Sequence, residues 1–328
     1  MSNEAIPVVV MGLGEVGRAI AVAAFSRPDL RVVGAVDPAH AGRTLADLLG
    51  GQGPAVPIVP DLRKVLGAAK GGVLLHATDS RLEAVLPQLE AAVRGGLHVV
   101  STCEELAFPW ASDEGRADAL DRLANDRNVA VLGTGVNPGF VLDRLPALLS
   151  QATGPVRHLR ATRVVELAGR RPGLLRRAGV GLTEEAFWDA EERGVVGHVG
   201  LGESAWLAAD GCGIGLDELE VDEEIEPILA DEDVAGPLPL RRGQVAGLRQ
   251  AARAFVDGRE VVRLELLLQV AADDPRDEVD LDADPRVRVV VPGGLPGDRA
   301  TAHIVVNAVP ALVELRGLVT VLNLPAGR

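Results

Sequence analysis

Tyrosine is absent from this 328-residue chain, and lysine occurs only at Lys64 and Lys70. Enzymes that use a tyrosine/lysine pair as proton donor are therefore excluded. Enzymes that depend on a catalytic lysine are disfavoured, because both lysines lie in a polar, helix-like stretch away from any glycine-rich loop.

Cysteine is also scarce, since the chain has only Cys103 and Cys212. Two cysteines cannot form a disulfide framework, which is typical of proteins in the reducing cytoplasm. They also lack the spacing of zinc ligands. We therefore predict no metal site.

Long apolar runs and a basic leader are missing as well. No run approaches the roughly 18 residues that a membrane helix needs, and residues 1–10 enter a strand pattern directly. The net charge of −14 argues against nucleic acid and membranes as partners. Much of this acidity lies in 217–233 and 273–284, which we interpret as exposed strands and loops. We expect a cytoplasmic protein.

The composition is that of a globular protein, with 47% hydrophobic and 24% charged residues. A chain of this length is long enough to form two domains. We place the first domain at 1–145 together with a returning C-terminal helix at 299–328, and the second at 146–298.

The strongest motif stands near the start of the chain. An apolar run (6–11) enters the glycine-rich loop Gly12-Leu13-Gly14-Glu15-Val16-Gly17, a helical pattern (18–25) follows, and a second apolar run (31–36) ends on Asp37. Strand, loop, helix, strand and terminal acid together indicate a Rossmann unit that binds NAD or NADP. We predict that the whole loop contacts the cofactor.

Each part of this motif has a physical function. Gly12 permits a tight turn, Gly14 lets a pyrophosphate approach the backbone, and Gly17 lets helix and strand pack closely. The N–H groups at the helix N-terminus would bind the phosphates. Asp37 would accept hydrogen bonds from the adenosine ribose and repel a 2′-phosphate, which favours NAD, whereas Arg43 could soften that preference.

Strands and helices alternate through the rest of the first domain, as a parallel sheet requires. Ligands bind at the carboxyl ends of such strands. Further cofactor contacts are therefore expected from residues that follow them, namely Thr78, Ser80, Thr102 and Asn137. Helix capping explains Thr78 and Ser80 equally well, and a plain turn is the alternative for Asn137.

The pattern then changes to longer strand-like runs, several of alternating polarity, at 157–167, 217–228, 261–271 and 286–291. They predict an α+β second domain with a mainly antiparallel sheet. Phe255, by contrast, falls in a stretch that we interpret as helical. The predicted fold class is α/β, a Rossmann domain joined to this α+β domain.

Two adjacent carboxylates, Glu104 and Glu105, follow the buried strand 98–101 on the side where a nicotinamide would lie. A carboxylate there could hold a substrate ammonium, take its proton and later activate water. Both are therefore candidate catalytic residues. Stabilisation of a helix N-terminus is the structural alternative, and it is favoured for Glu105 rather than for Glu104.

Cys103 offers a different chemistry, as the nucleophile of an aldehyde or semialdehyde dehydrogenase with His198 as its base. Buried packing is the commoner role of an isolated cysteine, and His198 could be a structural hydrogen-bonder. The candidate substrate contacts are Glu104, Phe140, Arg163, Arg170 and His198. An exposed basic loop explains the arginines nearly as well as a clamp for a substrate carboxylate.

Seven segments together resemble the 2,4-diaminopentanoate dehydrogenase and native amine dehydrogenase family, whose N-terminal domain is similar to dihydrodipicolinate reductase. They extend over nearly the whole chain: the 12–17 loop, HVVSTCEELAFPW (98–110), GTGVNPGFVLD (133–143), GRRPGLLRRAGVGLTEEAF (169–187), GHVGLGES (197–204), GDRATAHIVVNAVP (297–310) and VLNLP (321–325).

The resemblance implies oxidation of a primary amine to an imine that water hydrolyses to ketone and ammonia, and the reverse reductive amination. It places the catalytic glutamate in the 103–105 segment, with Glu104 first because a lysine of the related homoserine dehydrogenases aligns there. It also implies a homodimer built through the sheet of the second domain. The His-His pair and nearby lysine of dihydrodipicolinate reductases are absent here, which disfavours a lysine-biosynthesis reductase.

We therefore expect an NAD(P)-dependent amine dehydrogenase that acts on 2,4-diaminopentanoate or a related short amine. An aldehyde or semialdehyde dehydrogenase that uses Cys103 is the alternative enzyme. A non-catalytic NAD(P)-binding redox sensor is the alternative outside enzymes.

Overall fold

A computed structural model describes residues 5–236 and 238–327. The chain divides into two compact units: unit 1 comprises Met1–Phe140 and Pro296–Arg328, and unit 2 comprises Val141–Leu295. The domain boundaries drawn from the sequence differ from these by three to five residues.

The strands in chain order are β1 (Ile6–Met11), β2 (Leu30–Val36), β3 (Ile58–Val59), β4 (Val73–His76), β5 (His98–Ser101), β6 (Ala130–Gly133), β7 (His158–Glu166), β8 (Glu220–Leu229), β9 (Val245–Val256), β10 (Arg259–Gln269), β11 (Arg276–Asp282), β12 (Val287–Pro292) and β13 (Gly317–Val319). The α-helices are α1 (Glu15–Phe25), α2 (Leu45–Leu48), α3 (Leu82–Arg94), α4 (Trp110–Asp126), α5 (Arg144–Ser150), α6 (Pro172–Arg177), α7 (Glu184–Glu192), α8 (Leu201–Gly211) and α9 (Gly297–Leu312). Within the described ranges, no helix combines the length and apolarity needed to span a membrane.

Unit 1 is built on a seven-stranded parallel sheet with the strand order β13-β6-β5-β4-β1-β2-β3. Its central strands are apolar runs because neither of their faces meets solvent, and Val8, Val9 and Val10 of β1 are fully buried. The loop after β1 lies where the strand order reverses, since β4 and β2 flank β1 on opposite sides. Open α/β sheets bind ligands at this point. The predicted Rossmann domain is confirmed.

The C-terminal segment completes unit 1. Helix α9 packs on α1 and near β5, and β13 pairs with β6 at the edge of the sheet. Asp121 in α4 accepts a hydrogen bond from Leu318 N (2.8 Å), which fixes β13. Arg27 Nη1 donates to Asn307 Oδ1 (2.6 Å), which fixes α9. The returning helix was predicted, whereas the strand after it was not.

Unit 2 is built on a six-stranded sheet with the order β12-β11-β7-β10-β9-β8. Strands β7 and β10 pair in parallel and the other neighbours pair antiparallel. Helix α8 packs on β8, β9, β10 and α5. This confirms the predicted α+β domain with a mainly antiparallel sheet. The helical interpretation of Phe255 is wrong, because Phe255 lies in β9.

Candidate active site

The three motif glycines of the loop after β1 have different surroundings. Gly12 has a φ of +84°, and a Cβ there would lie 2.3 Å from Ala77 O. A Cβ on Gly17 would lie 1.7 Å from Gly12 O, so α1 packs on the loop at a distance that only glycine allows. At Gly14, no atom of the described residues lies within 4 Å of a Cβ position. Gly12 and Gly17 therefore shape the loop, and the space beside Gly14 can admit a ligand.

Helix α1 begins directly at this loop. The first intrahelical hydrogen bond of α1 runs from Arg18 N to Gly14 O (3.0 Å). The N–H groups of Glu15, Val16 and Gly17 therefore have no acceptor within the helix. The end of a helix that carries such groups is partially positive and binds phosphate. Leu13 is fully buried, its N–H donates to Asp37 Oδ2 (2.7 Å) and its carbonyl accepts from Arg18 Nε (2.9 Å), so its contacts hold the loop in place. The loop and α1 together form a candidate phosphate-binding site, here called the cofactor cradle.

Asp37 lies beside this cradle, directly after β2. Its Oδ2 accepts a hydrogen bond from Leu13 N (2.7 Å), and its Oδ1 accepts one from Ala39 N (2.8 Å). Each carboxylate oxygen can accept a second bond, so a ribose hydroxyl can still be held. Asp37 also fixes the glycine-rich loop, a role that the sequence does not reveal. Arg43 is exposed and donates to Asp47 O (3.2 Å).

A buried histidine, missed by the sequence analysis, joins the ends of β4 and β5. His76 Nδ1 lies 2.8 Å from Ser101 Oγ, and His76 Nε2 lies 2.7 Å from Gln88 Oε1 and 2.8 Å from Thr78 Oγ1. Burial lowers the pKa of His76 to about 4, so the ring is neutral at neutral pH. Thr78, the predicted cofactor contact, is exposed but anchored by this buried ring. The sequence does contain a signal for this residue: His76 is a polar residue at the end of an apolar strand, on the edge of the sheet where ligands bind.

Ser80 and Thr102 tie the loops after β4 and β5 together through their backbones. The Ser80 carbonyl accepts hydrogen bonds from Glu105 N (3.3 Å) and Cys103 Sγ (3.1 Å). Thr102 N donates to His76 O (2.9 Å). These bonds hold the two loops in one arrangement.

The two adjacent glutamates after β5 have different surroundings. Glu105 accepts hydrogen bonds from Leu82 N at the start of α3 (2.6 Å) and from Arg81 Nη1 (3.0 Å), so both of its oxygens serve a helix N-terminus. Glu104 is half-buried, and its Oε2 is shielded from solvent. Glu105 thus has the capping role that was its structural alternative, and Glu104 is the better candidate for proton transfer.

Cys103 is poorly suited to nucleophilic chemistry. It is 1% exposed, and its thiol donates a hydrogen bond to Ser80 O (3.1 Å). Burial, with the nearby Glu104 and Glu105 carboxylates, raises the pKa of the Cys103 thiol far above its usual value. Because the thiolate is the nucleophilic form, the geometry argues against the aldehyde dehydrogenase alternative.

We expect Cys103→Ser to keep kcat within a few-fold of the wild-type value, because a serine hydroxyl can donate the same bond to Ser80 O. Loss of a covalent nucleophile would instead cost several orders of magnitude in kcat. Steady-state kinetics of both proteins measure this, with Cys212→Ser, at the other buried cysteine, as the matched control. A collapse of kcat in Cys103→Ser alone would restore the thiol mechanism.

The segment 134–140 follows β6 and is tied to its neighbours through the backbone. Thr134 N donates to Ser101 O (2.8 Å), and Val136 N donates to Thr301 Oγ1 (3.1 Å). Asn137 is buried and Phe140 is half-buried. Thr134 Oγ1 is shielded from solvent and makes no hydrogen bond to the described part of the chain. Buried hydroxyl groups are normally satisfied, so this oxygen is an exception among the described residues.

Arg163, a predicted substrate residue, serves the sheet of unit 2. Its side chain is 5% exposed, and its Nη1 pairs with Asp277 Oδ1 (2.8 Å). Its Nη2 donates to Leu295 O (2.7 Å), while Leu295 N donates to Asp277 Oδ2 (2.7 Å). The Arg163 guanidinium therefore stabilises the unit 2 structure around Asp277 and Leu295. This geometry does not support a role for Arg163 in binding a substrate carboxylate.

Arg170 and His198, the other predicted substrate residues of unit 2, are also held locally. Arg170 Nε donates to Glu166 O (3.1 Å). The Gln250 side chain accepts a bond from His198 N (2.8 Å) and donates one to His198 O (2.9 Å), so it fixes the backbone of the His198 loop. The half-buried His198 ring is not involved in these two bonds.

A glycine-rich loop at the reversal point of a parallel sheet, with an acidic residue after the second strand, defines the class of Rossmann-fold NAD(P)-dependent oxidoreductases. A sequence profile for the 2,4-diaminopentanoate dehydrogenase C-terminal domain matches residues 140–328. A 2,4-diaminopentanoate dehydrogenase from Acetoanaerobium sticklandii is 30% identical over 336 aligned positions, which cover 99% of this chain and 95% of that protein. The chain belongs to the 2,4-diaminopentanoate dehydrogenase family, which confirms the resemblance.

Solved structures share the fold. An amine dehydrogenase from Mycobacterium smegmatis superposes with a TM-score of 0.84 at 23% identity, covering 98% of this chain and 97% of that chain. A dihydrodipicolinate reductase from Paenisporosarcina sp. superposes with a TM-score of 0.53 at 12% identity, covering 97% and 98%. Both units of the fold are therefore found together in known oxidoreductases.

Proposed function

We propose that this protein is an amine dehydrogenase that oxidises a short primary amine to a ketone and ammonia and catalyses the reverse reductive amination. One observation carries the proposal: Glu104 is a half-buried carboxylate at the carboxyl end of β5, on the edge of the sheet where the cofactor cradle lies. The name of the A. sticklandii relative makes 2,4-diaminopentanoate the first amine to test.

The described residues of unit 1 fit a nicotinamide dinucleotide. The space beside Gly14 and the α1 N–H groups suit a pyrophosphate, and Asp37 suits a ribose diol. Thr78, Thr102 and the 134–140 loop lie on the adjoining strand ends. When bound, the nicotinamide accepts or donates the hydride.

Glu104 is assigned the proton transfers. In the oxidative direction, its carboxylate holds the substrate ammonium and takes a proton, and the amine carbon loses hydride as the C=N bond forms. The Glu104 carboxyl then releases this first proton to solvent. Water adds to the imine carbon and gives a proton to the regenerated carboxylate. That proton returns to nitrogen, and the C–N bond breaks as the hydroxyl of the carbinolamine gives its own proton to the carboxylate, which leaves ketone and ammonia.

The remaining partners are small molecules: the amine, the ketone and ammonia. We propose a cytoplasmic homodimer, as the family resemblance implies.

We expect the enzyme to prefer NADH to NADPH, because the Asp37 carboxylate would repel a 2′-phosphate. Asp37→Asn removes this charge but keeps an oxygen that can accept from Leu13 N. The preference should therefore fall by roughly ten- to a hundredfold, the value of one charge-assisted hydrogen bond. The measurement is the ratio of kcat/KM for the two cofactors.

Asp61→Asn is the matched control for this change. Asp61 Oδ1 accepts from Arg63 N (2.9 Å) in the same kind of local cap, close to the end of β3. The ratio of kcat/KM for NADH to kcat/KM for NADPH in Asp61→Asn should equal that of the wild type. A wild-type enzyme that prefers NADPH, or an unaltered ratio in Asp37→Asn, would contradict the assigned role of Asp37.

Incubation with 2,4-diaminopentanoate and NAD tests the reaction itself. Reduced cofactor and ammonia should form in equal amounts. Reduction of the cofactor by aldehydes without ammonia release would support the thiol alternative. Tight cofactor binding with no turnover of any amine would support the redox sensor.

A further inference from the structure

The side chains of His76, Thr78, Gln88 and Ser101 form a continuous set of hydrogen bonds, the His76 network. The network is bonded to the loop that carries Glu104 through Ser101 Oγ, which accepts a hydrogen bond from Cys103 N (3.0 Å). The other end of the network lies on α3, where Gln88 is half-buried. The network thus connects a helix with two of the loops that form the candidate active site.

The donors and acceptors of the His76 network have one consistent direction. Gln88 Oε1 can only accept, so His76 Nε2 carries the proton that is donated to it (2.7 Å) and the Thr78 hydroxyl donates to the same oxygen (2.8 Å). His76 Nδ1 is then an acceptor for Ser101 Oγ–H (2.8 Å). Ser101 Oγ in turn accepts from Cys103 N. Each group therefore fixes the orientation of the next one.

The network acts on both sides of the candidate site. Through Ser101 it holds the backbone directly before Glu104. Through Gln88 Oε1, which accepts from both His76 Nε2 and the Thr78 hydroxyl, it holds Thr78 in the loop after β4. The buried Cys103 thiol also joins these two loops, through its bond to Ser80 O (3.1 Å). Because a small displacement of a catalytic group costs a large fraction of the rate, such a connection can affect turnover.

We infer that His76 is a positioning residue: through Ser101 and Thr78 it fixes the position of the Glu104 loop, after β5, relative to the loop after β4. This inference rests on the proposed amine dehydrogenase function. A buried polar side chain is unexpected in an apolar strand, and this role in the reaction accounts for its presence. The ring stays neutral, so it orients neighbouring groups and does not itself exchange protons with substrate.

His98 provides a matched comparison inside the same unit. It begins β5 and is buried like His76, and its Nδ1 accepts a hydrogen bond from Ala130 N (3.0 Å). Burial lowers the pKa of His98 to about 4 as well. His98 lies at the opposite end of the parallel strands from the candidate site. Its replacement should therefore affect stability without affecting chemistry.

The test compares His76→Leu, His76→Asn and His98→Leu in the full chain, with kcat, amine KM, NADH dissociation constant and melting temperature measured for each. His76→Leu should lower kcat by at least tenfold while the NADH dissociation constant and KM change little. His76→Asn should recover much of that loss, because its Oδ1 can accept from Ser101 Oγ–H in place of Nδ1. His98→Leu should lower the melting temperature and keep kcat.

Equal losses of kcat in His76→Leu and His98→Leu, or no recovery in His76→Asn, would overturn the positioning role. Hydrogen exchange at the Cys103 amide gives a readout that does not need turnover: it should be slow in the wild type and fast in Ser101→Ala. Fast exchange in the wild type would overturn the network itself. A wild type without amine turnover but with a protected Cys103 amide would refute the proposed function, and with it the catalytic use of His76, while leaving the network in place.

Discussion

Replacement of Glu104 by glutamine should lower kcat for amine oxidation by about a hundred- to ten-thousandfold, the usual contribution of a general acid–base group. Glutamine keeps the size of the side chain but can neither take a proton from the substrate ammonium nor activate water. The NADH dissociation constant should change little, because the cradle at Gly14 and Asp37 is formed by other loops. Steady-state kinetics and NADH fluorescence titration measure the two effects separately.

Glu105→Gln is the natural control, since it makes the same chemical change one residue away. Glu105 binds Leu82 N and Arg81, and a glutamine oxygen can still accept from Leu82 N. This variant should lose some stability and keep most of its kcat. A large loss of kcat in Glu105→Gln together with normal activity in Glu104→Gln would reverse the assignment of the two glutamates.

Gly14→Ala should weaken NADH binding by roughly ten- to a hundredfold and leave the fold of the free protein intact. The φ of Gly14 is −66°, which alanine adopts without strain, and no described atom lies within 4 Å of the new Cβ. The methyl group would instead occupy the space assigned to the pyrophosphate. Loss of one charge-assisted hydrogen bond there corresponds to the stated factor. Titration calorimetry and thermal unfolding measure binding and stability.

Two other glycines make this experiment specific. Gly67 is exposed and also has no described atom within 4 Å of a Cβ, so Gly67→Ala should leave both NADH binding and stability unchanged. Gly17→Ala should instead reduce stability, because its Cβ would collide with Gly12 O. Unchanged NADH affinity in Gly14→Ala would show that the phosphates lie elsewhere.

The Rossmann unit could be predicted from the sequence because its signals are local. An apolar strand, a glycine-rich loop and Asp37 stand within one short segment, and each has a backbone reason for its residue type. The structure agrees with this prediction down to the separate packing of Gly12, Gly14 and Gly17.

The sheet of unit 2 was harder to predict, because its strands do not follow simple alternation. Strand β9 contains four alanines and is buried along most of its length, so its pattern resembles a helix. Strand β11 lies in an acidic segment whose carboxylates pair with Arg288 of β12 and with Arg286 in the turn before it. The acidity indicated exposed strands and loops but did not locate the strand, whereas the ion pairs between β11 and the β12 side of the hairpin allow a sheet there.

The candidate site was predicted only in part, because the partners of its residues are distant in sequence. The loop with Glu104 and Glu105 was found from its position after a strand. The capping bond from Leu82 to Glu105 and the bonds of His76 to Gln88 and Ser101 depend on the three-dimensional arrangement of β4, β5 and α3. Arg163, a candidate substrate contact from the sequence, lies in β7 in a buried ion pair with Asp277, a partner that the sequence does not reveal.

Ammonia-dependent oxidation of NADH is the most direct measurement of the central claim. The purified protein would be incubated with NADH and a panel of small ketones and keto acids, with and without ammonium, and the products identified by mass spectrometry. We expect NADH to be consumed only when ammonium is present and the corresponding amine to be formed. Consumption of NADH that is independent of ammonium, with an alcohol as the product, would contradict this expectation.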